Sequence, residues 1–188
     1  MLHIVDRLAP WLGPGQPPFA VATVVAASGS VPRPVGTAMA VRADGAVLGS
    51  LSGGCVEGAV HAAALDAIAS GTSHRETFGY SDDDAFAVGL SCGGTLDVHV
   101  QPVLPDDDAT RALHALAARE EPAAPVALVR RIDGGARTAV VVDDPGATDE
   151  AAVARVLRGL VGPDSLAAAA AQVVAVLRAG GTATVHAA

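Results

Sequence analysis

The sequence predicts an α+β (mixed α/β) fold in which short strands and hairpins form a sheet covered by helices. Three observations predict it. Residues 95–103 alternate as a strand does, with Leu96, Val98 and Val100 on one side and Thr95, Asp97, His99 and Gln101 on the other. Asp44-Gly45, between two apolar runs, is a hairpin turn. Val56, Val60, Ala64, Ala67 and Ile68 share one helical face, and Gly71 supplies a C-terminal stop.

The elements follow in chain order. Ile4, Val5, Leu8, Trp11 and Leu12 fall at helical spacing, so 2–12 reads as an amphipathic helix, bent at Pro10 and ended by 13–18. Strands are expected at 19–26, 37–41 and 46–48, then a helix to Gly71 and a strand at 73–78. Ser81-Asp82-Asp83-Asp84 has the Ser-x-x-acid pattern of an N-cap and opens a short helix to about Leu90. After the strand at 95–103, residues 105–108 read as linker and cap, 109–119 as helix and 120–125 as a break.

Residues 125–132 then resemble the strand at 19–25, and 138–142 resemble 37–41. The alanine-rich helix ending at Gly180 resembles the one ending at Gly71, and each is followed by a threonine-containing stretch read as a strand. A degenerate strand–strand–helix–strand repeat is expected. Residues 1–104 carry the glycine-cysteine motifs, and 105–188 form a supporting half, packed with the first as one compact domain.

Composition narrows the function. The 188 residues suit one ordinary domain or two small ones. A formal charge of −8 without an arginine cluster argues against nucleic acid. Every basic residue is arginine, which excludes Schiff-base and lysine-nucleophile chemistry. The N-terminus lacks a signal-peptide pattern, and the apolar stretch 166–177 is interrupted by Gln172 and too short to span a bilayer. A soluble cytoplasmic protein with no membrane partner is expected. Its two cysteines read as reduced thiols rather than a disulfide. CxxC, His-x-x-x-His, Walker and Gly-x-Gly-x-x-Gly patterns are all missing from the sequence, and Gly89-Leu90-Ser91-Cys92-Gly93 leads from an expected helix to a strand, so it is not a Gly-x-Ser-x-Gly nucleophile elbow.

Three loops carry the remaining chemistry. Ser28-Gly29-Ser30-Val31-Pro32-Arg33-Pro34-Val35-Gly36 holds Arg33 between prolines. It is either a constrained binder of a planar anion or an arginine in an ordinary hairpin. Ser52-Gly53-Gly54-Cys55-Val56-Glu57 opens a helix, where free amides attract anions and a thiolate is stabilised. Glu57 reads equally as proton acceptor, ligand contact or helix cap. Ser91-Cys92-Gly93-Gly94-Thr95 places the second thiol in a turn, as chemical tool or small hydrophobe.

Together the motifs resemble the XdhC/CoxI family, accessory proteins of molybdenum hydroxylases such as xanthine dehydrogenase. The resemblance lies in Gly29 to Met39, Gly49 to Glu57, and Tyr80 to Gly94, in that order and spacing. It implies binding of the molybdopterin (molybdenum) cofactor, help with its sulfuration by a cysteine desulfurase, and delivery to a molybdenum hydroxylase apo-enzyme. Carried onto this sequence, the cofactor contacts are Ser30, Arg33, Ser52, Gly53, Gly54, Cys55, Glu57, Cys92, Gly93 and Gly94. Cys55 and Cys92 are the candidate catalytic residues and metal ligands, binding molybdenum or relaying a persulfide sulfur. Family members typically continue into a C-terminal Rossmann-like domain, and this sequence stops before it; the expectation is a separate Rossmann-domain companion, a short branch of the family or a truncated chain.

A cofactor-binding chaperone is therefore expected more than a turnover enzyme. The competing readings are a thiol-dependent sulfurtransferase carrying persulfide on Cys55 or Cys92, and a non-catalytic interaction subunit with an acidic docking surface. The alanine-rich second half also suggests a homodimer.

Overall fold

Strand β1, Phe19–Ser28, is the axis on which the first half of the molecule is built. The structure is a computed structural model that describes residues 1–79, 94–119, 126–132, 138–142 and 149–185, with the backbone alone for 139–142. The expected helix at 81–90, together with Cys92 and Gly93, lies outside the described residues. The chain divides into two units, Met1–Pro105 and Asp106–Ala188.

In the first unit β1 pairs antiparallel with β2 (Ala38–Arg42) and with β5 (Thr95–Val103). Strand β3 (Val47–Gly49) pairs with β2 and β4 (His74–Gly79) with β5, giving the order β3-β2-β1-β5-β4. The Asp44-Gly45 turn forms as expected: Gly45 takes a φ of 87°, and Arg42 holds Asp44 through paired hydrogen bonds of 2.9 and 2.7 Å. Helix α2 (Glu57–Ser70) ends on Gly71 in the left-handed region.

Helix α2 is alanine-rich, which favours helix and lets it lie close to the sheet. Its Val60, Ala63, Ala64 and Ala67 cover Ala20, Ala22, Val24, Met39, Val41, Leu96, Val98 and Val100 in one cluster. The opposite face of β5 differs from a simple half-buried strand, because His99 and Gln101 are buried too. The segment read as one N-terminal helix is three short turns, Leu2–Ile4, Val5–Leu8 (α1) and Ala9–Trp11, with Pro10 in the last. Its Trp11 meets Phe19 edge-on at 5.7 Å and lies under the Arg42 guanidinium.

The second unit holds helix α3 (Asp108–Ala117), an antiparallel pair of β6 (Val126–Arg130) and β7 (Thr138–Val142), and helices α4 (Glu150–Leu157) and α5 (Leu166–Ala179). Asp107 and Asp149 cap α3 and α4, each accepting from the amide three residues on. Val153, Leu157, Ala169, Ala170, Val173, Val174 and Leu177 form its described core. An antiparallel strand pair and a helix ending at glycine therefore occur in both units. The strand expected after Gly180 does not form in 181–185. Gly180 and Gly181 both take positive φ there, at 72° and 105°, which turns the chain away from extended geometry.

Gly49 ends β3 at a φ of 81°, and a Cβ there would lie 2.5 Å from the Ala38 carbonyl oxygen. Gly49→Ala is expected to cost about 2–4 kcal/mol in urea unfolding, from left-handed strain plus overpacking against backbone.

Candidate functional site

The loop 50–56 runs from β3 to α2 and is folded around a side chain that follows it. Glu57 is the first residue of α2, and its carboxylate turns back over the loop. Oε1 accepts from the Ser50 hydroxyl at 2.6 Å and from the amides of Leu51, Ser52 and Gly53 at 3.1, 2.9 and 3.0 Å. Oε2 accepts from the Ser52 hydroxyl and from the Gly54 amide at 2.8 Å. Successive amides curled onto one anion form a nest. Gly53 and Gly54 permit it with φ of 88° and 124°, and a Cβ on either would meet nothing within 4 Å, so conformation rather than space requires glycine.

The Ser52 hydroxyl also accepts from the amides of Cys55 and Val56, at 2.9 and 3.0 Å. Thus the amides of the loop leading into the helix hold an anion from within the chain. Burial pushes the Glu57 carboxyl up, but hydrogen bonds from the Ser50 and Ser52 hydroxyls and the Ser52 amide outweigh it. They hold the group well below the usual carboxylate range.

Beside this loop lies a small pocket at the end of the sheet that the glycine-rich loops occupy. Ser30, Val31, Pro32, Ser52, Cys55, Val56, Phe78, Gly94 and Leu96 line it. Cys55 is a half-buried free thiol. Gly94 lies so close to the first loop that a Cβ there would stand 2.5 Å from the Ser30 carbonyl oxygen and 2.6 Å from Val31 Cγ1. The second glycine of the third motif therefore serves a backbone-to-loop contact that no larger residue allows.

Of the residues singled out from sequence, Ser30, Ser52, Cys55 and Gly94 come together at the pocket. Gly53, Gly54 and Glu57 form the loop behind Cys55. Arg33 does not join them: it is exposed and absent from the lining, and its charge acts on His3, whose imidazole burial and nearby positive charges push below its ordinary value. Among the described residues, no group of three or more His, Cys, Asp and Glu side chains is placed to hold a metal ion.

Sequence reasoning missed Ser50 and the apolar walls Val31, Val56, Phe78 and Leu96 as site residues. Phe78 and Leu96 are register partners across β4 and β5, so strand alternation was the signal that could have found them. The described lining is apolar apart from Ser30, Ser52 and the Cys55 thiol, a surface suited to a soft, polarisable group rather than a free anion.

Residues 14–79 match the XdhC and CoxI family. The molybdenum cofactor insertion chaperone PaoD of Escherichia coli (strain K12) is 40% identical over 88 residues, which cover 44% of this chain and 27% of that protein. The uncharacterized protein YqeB of the same organism is 37% identical over 83 residues, covering 44% of this chain and 15% of that one. The chain thus spans less than a third of either relative. A crystal structure described as a xanthine dehydrogenase from Bacillus halodurans superposes with a TM-score of 0.58 over 76% of this chain and 42% of its own, at 24% identity, a likeness of fold. Among the described residues, no helix is long and apolar enough to cross a membrane.

The held carboxylate has a pH consequence. Its pKa is lower folded than unfolded, so its contribution is complete above the ordinary value of 4.5 and is lost as pH falls through the folded value. Glu57→Gln is expected to destabilise by about 1–2 kcal/mol at pH 7, allowing for solvent screening. Unfolding measured against pH should show that gap narrowing below about pH 4.5.

Proposed function

With residues 14–79 an XdhC and CoxI family segment, we propose that this chain serves molybdenum cofactor insertion. In this reading it binds the molybdopterin cofactor as cargo, assists its sulfuration and passes it to a molybdenum hydroxylase apo-enzyme. The observation that carries the reading is Cys55, a free thiol in the wall of a pocket made by three glycine-containing segments. A thiolate is a soft ligand, matched to the molybdenum–sulfur end of such a cargo. The Ser30 and Ser52 hydroxyls offer hydrogen bonds to its polar edges.

The phosphate end would be met outside the loop nest, whose amides are spent on Glu57. Arg33, exposed beside the pocket-lining Pro32, is the residue proposed for that contact. Cys92, two positions before the pocket-lining Gly94, is proposed as the second thiol, with Gly93 between them. A cysteine desulfurase as sulfur source, a Rossmann-domain companion, cytoplasmic location and a homodimer belong to the same proposal.

Anaerobic titration of the purified chain with molybdenum cofactor tests it. Wild type is expected to bind and retain the cofactor, and no binding would overturn the reading. Cys55→Ala is expected to weaken retention about tenfold or more, near 1.4 kcal/mol. Its thermal stability should fall by about 1 kcal/mol or less, since a partly buried thiol is a small hydrophobe. Losses of equal size in stability and retention would mean that Cys55 only shapes the loop.

A further inference from the structure

We infer that Ser52 and Glu57 are positioning residues for the Cys55 thiol, acting as one relay. The inference rests on the reading of Cys55 as the working thiol of the pocket. A serine hydroxyl has one proton and two lone-pair directions. Ser52 spends the proton on Glu57 Oε2 and both lone pairs on the amides of Cys55 and Val56. Its hydrogen-bonding capacity is therefore filled, and the hydroxyl has no rotation left that keeps all three bonds.

Each link has a stated direction. Glu57, ionised and held by Ser50 and four consecutive amides, fixes where the Ser52 proton points. That proton fixes the lone pairs, and these fix the backbone from which Cys55 projects. Ser52 is buried at 7% exposure and itself lines the pocket, so the relay ends at the pocket wall. Gly53 and Gly54, both exposed, separate Ser52 from Cys55. Two glycines have no stiffness of their own, so the direction of Cys55 is set by these bonds and not by the local chain. Ser50 extends the relay by also accepting the Gly53 amide at 3.1 Å.

The test uses the intact chain without cofactor, so it stands or falls separately from cofactor binding. Native protein is labelled with iodoacetamide or with a bulky polymer-linked maleimide, and the rate at Cys55 is read by peptide mapping. The ratio of small-probe to bulky-probe rates reports how the thiol is directed, and it is read in the absence of denaturant, where the separately measured unfolding of each variant is too rare to supply the labelling. Ser52→Ala and Glu57→Gln are each expected to lower that ratio about fivefold, the scale of losing one hydrogen bond. The double variant is expected to lower it no further, as members of one relay couple.

Should Ser52→Ala lose the fold, the near-isosteric Glu57→Gln carries the same expectation. An unchanged ratio in a folded variant would overturn the inference. Independent, additive effects of the two substitutions would also overturn it.

Discussion

An ionised carboxylate at the first turn of a helix is the interaction on which the site depends. Glu57 sits where the helix dipole favours negative charge, and it is also surrounded by donors that have no helical partner. Those donors could have been left to water or to a ligand. Here they are collected onto one side chain of the same chain, and the loop takes its shape from that collection. Gly53 and Gly54 follow from it, because only residues tolerant of positive φ can bring consecutive amides to one point. Ser52 follows as well, since its oxygen joins the carboxylate to the next turn of backbone.

The pocket gathers neighbours in the sheet rather than neighbours in sequence. Strands β1 and β5 are adjacent and antiparallel, so the loop leaving β1 meets the residue entering β5, and Gly94 packs on Ser30 and Val31. Helix α2 lies over the same strands and brings its N-terminal loop to the same end. The polar work is done behind the thiol, while the wall in front is made of Val31, Val56, Phe78 and Leu96. That separation leaves a thiol beside apolar walls, with the Glu57 charge already solvated by hydrogen bonds behind it.

Local signals made much of this legible in the sequence. The Asp44-Gly45 turn, the Gly71 stop and the alternation from Thr95 to Val103 each act over a few residues, and each element forms where they point. Ser52, Cys55 and Gly94 could be singled out because Gly-Gly pairs beside a thiol are informative without a partner, and Ser30 because its loop is part of the family resemblance. The role of Ser50 could not be read, since a hydroxyl seven residues before Glu57 becomes its neighbour only once the loop has closed. Nor could the absence of Arg33 from a lining to which its neighbours Val31 and Pro32 belong. The strand expected after Gly180 shows the limit of analogy between the halves: a threonine-containing stretch becomes a strand only when backbone geometry and a pairing edge allow it.

One irregularity in β1 sets where all of this occurs. Pairing with β5 runs in one register from Phe19 to Val24 and shifts by one residue before Ala26, so Val25 is an extra residue in the strand. An unbulged β1 would set Ser28 opposite Gly94 instead of Thr95, and Ala26 instead of Ala27 opposite Leu96. The first loop would then arrive at Gly94 one residue out of phase. The pocket is in this sense located by counting. Strand length between Phe19 and Ser30 is thus a constraint of its own, separate from the burial that fixes the side chains of Phe19 to Val24.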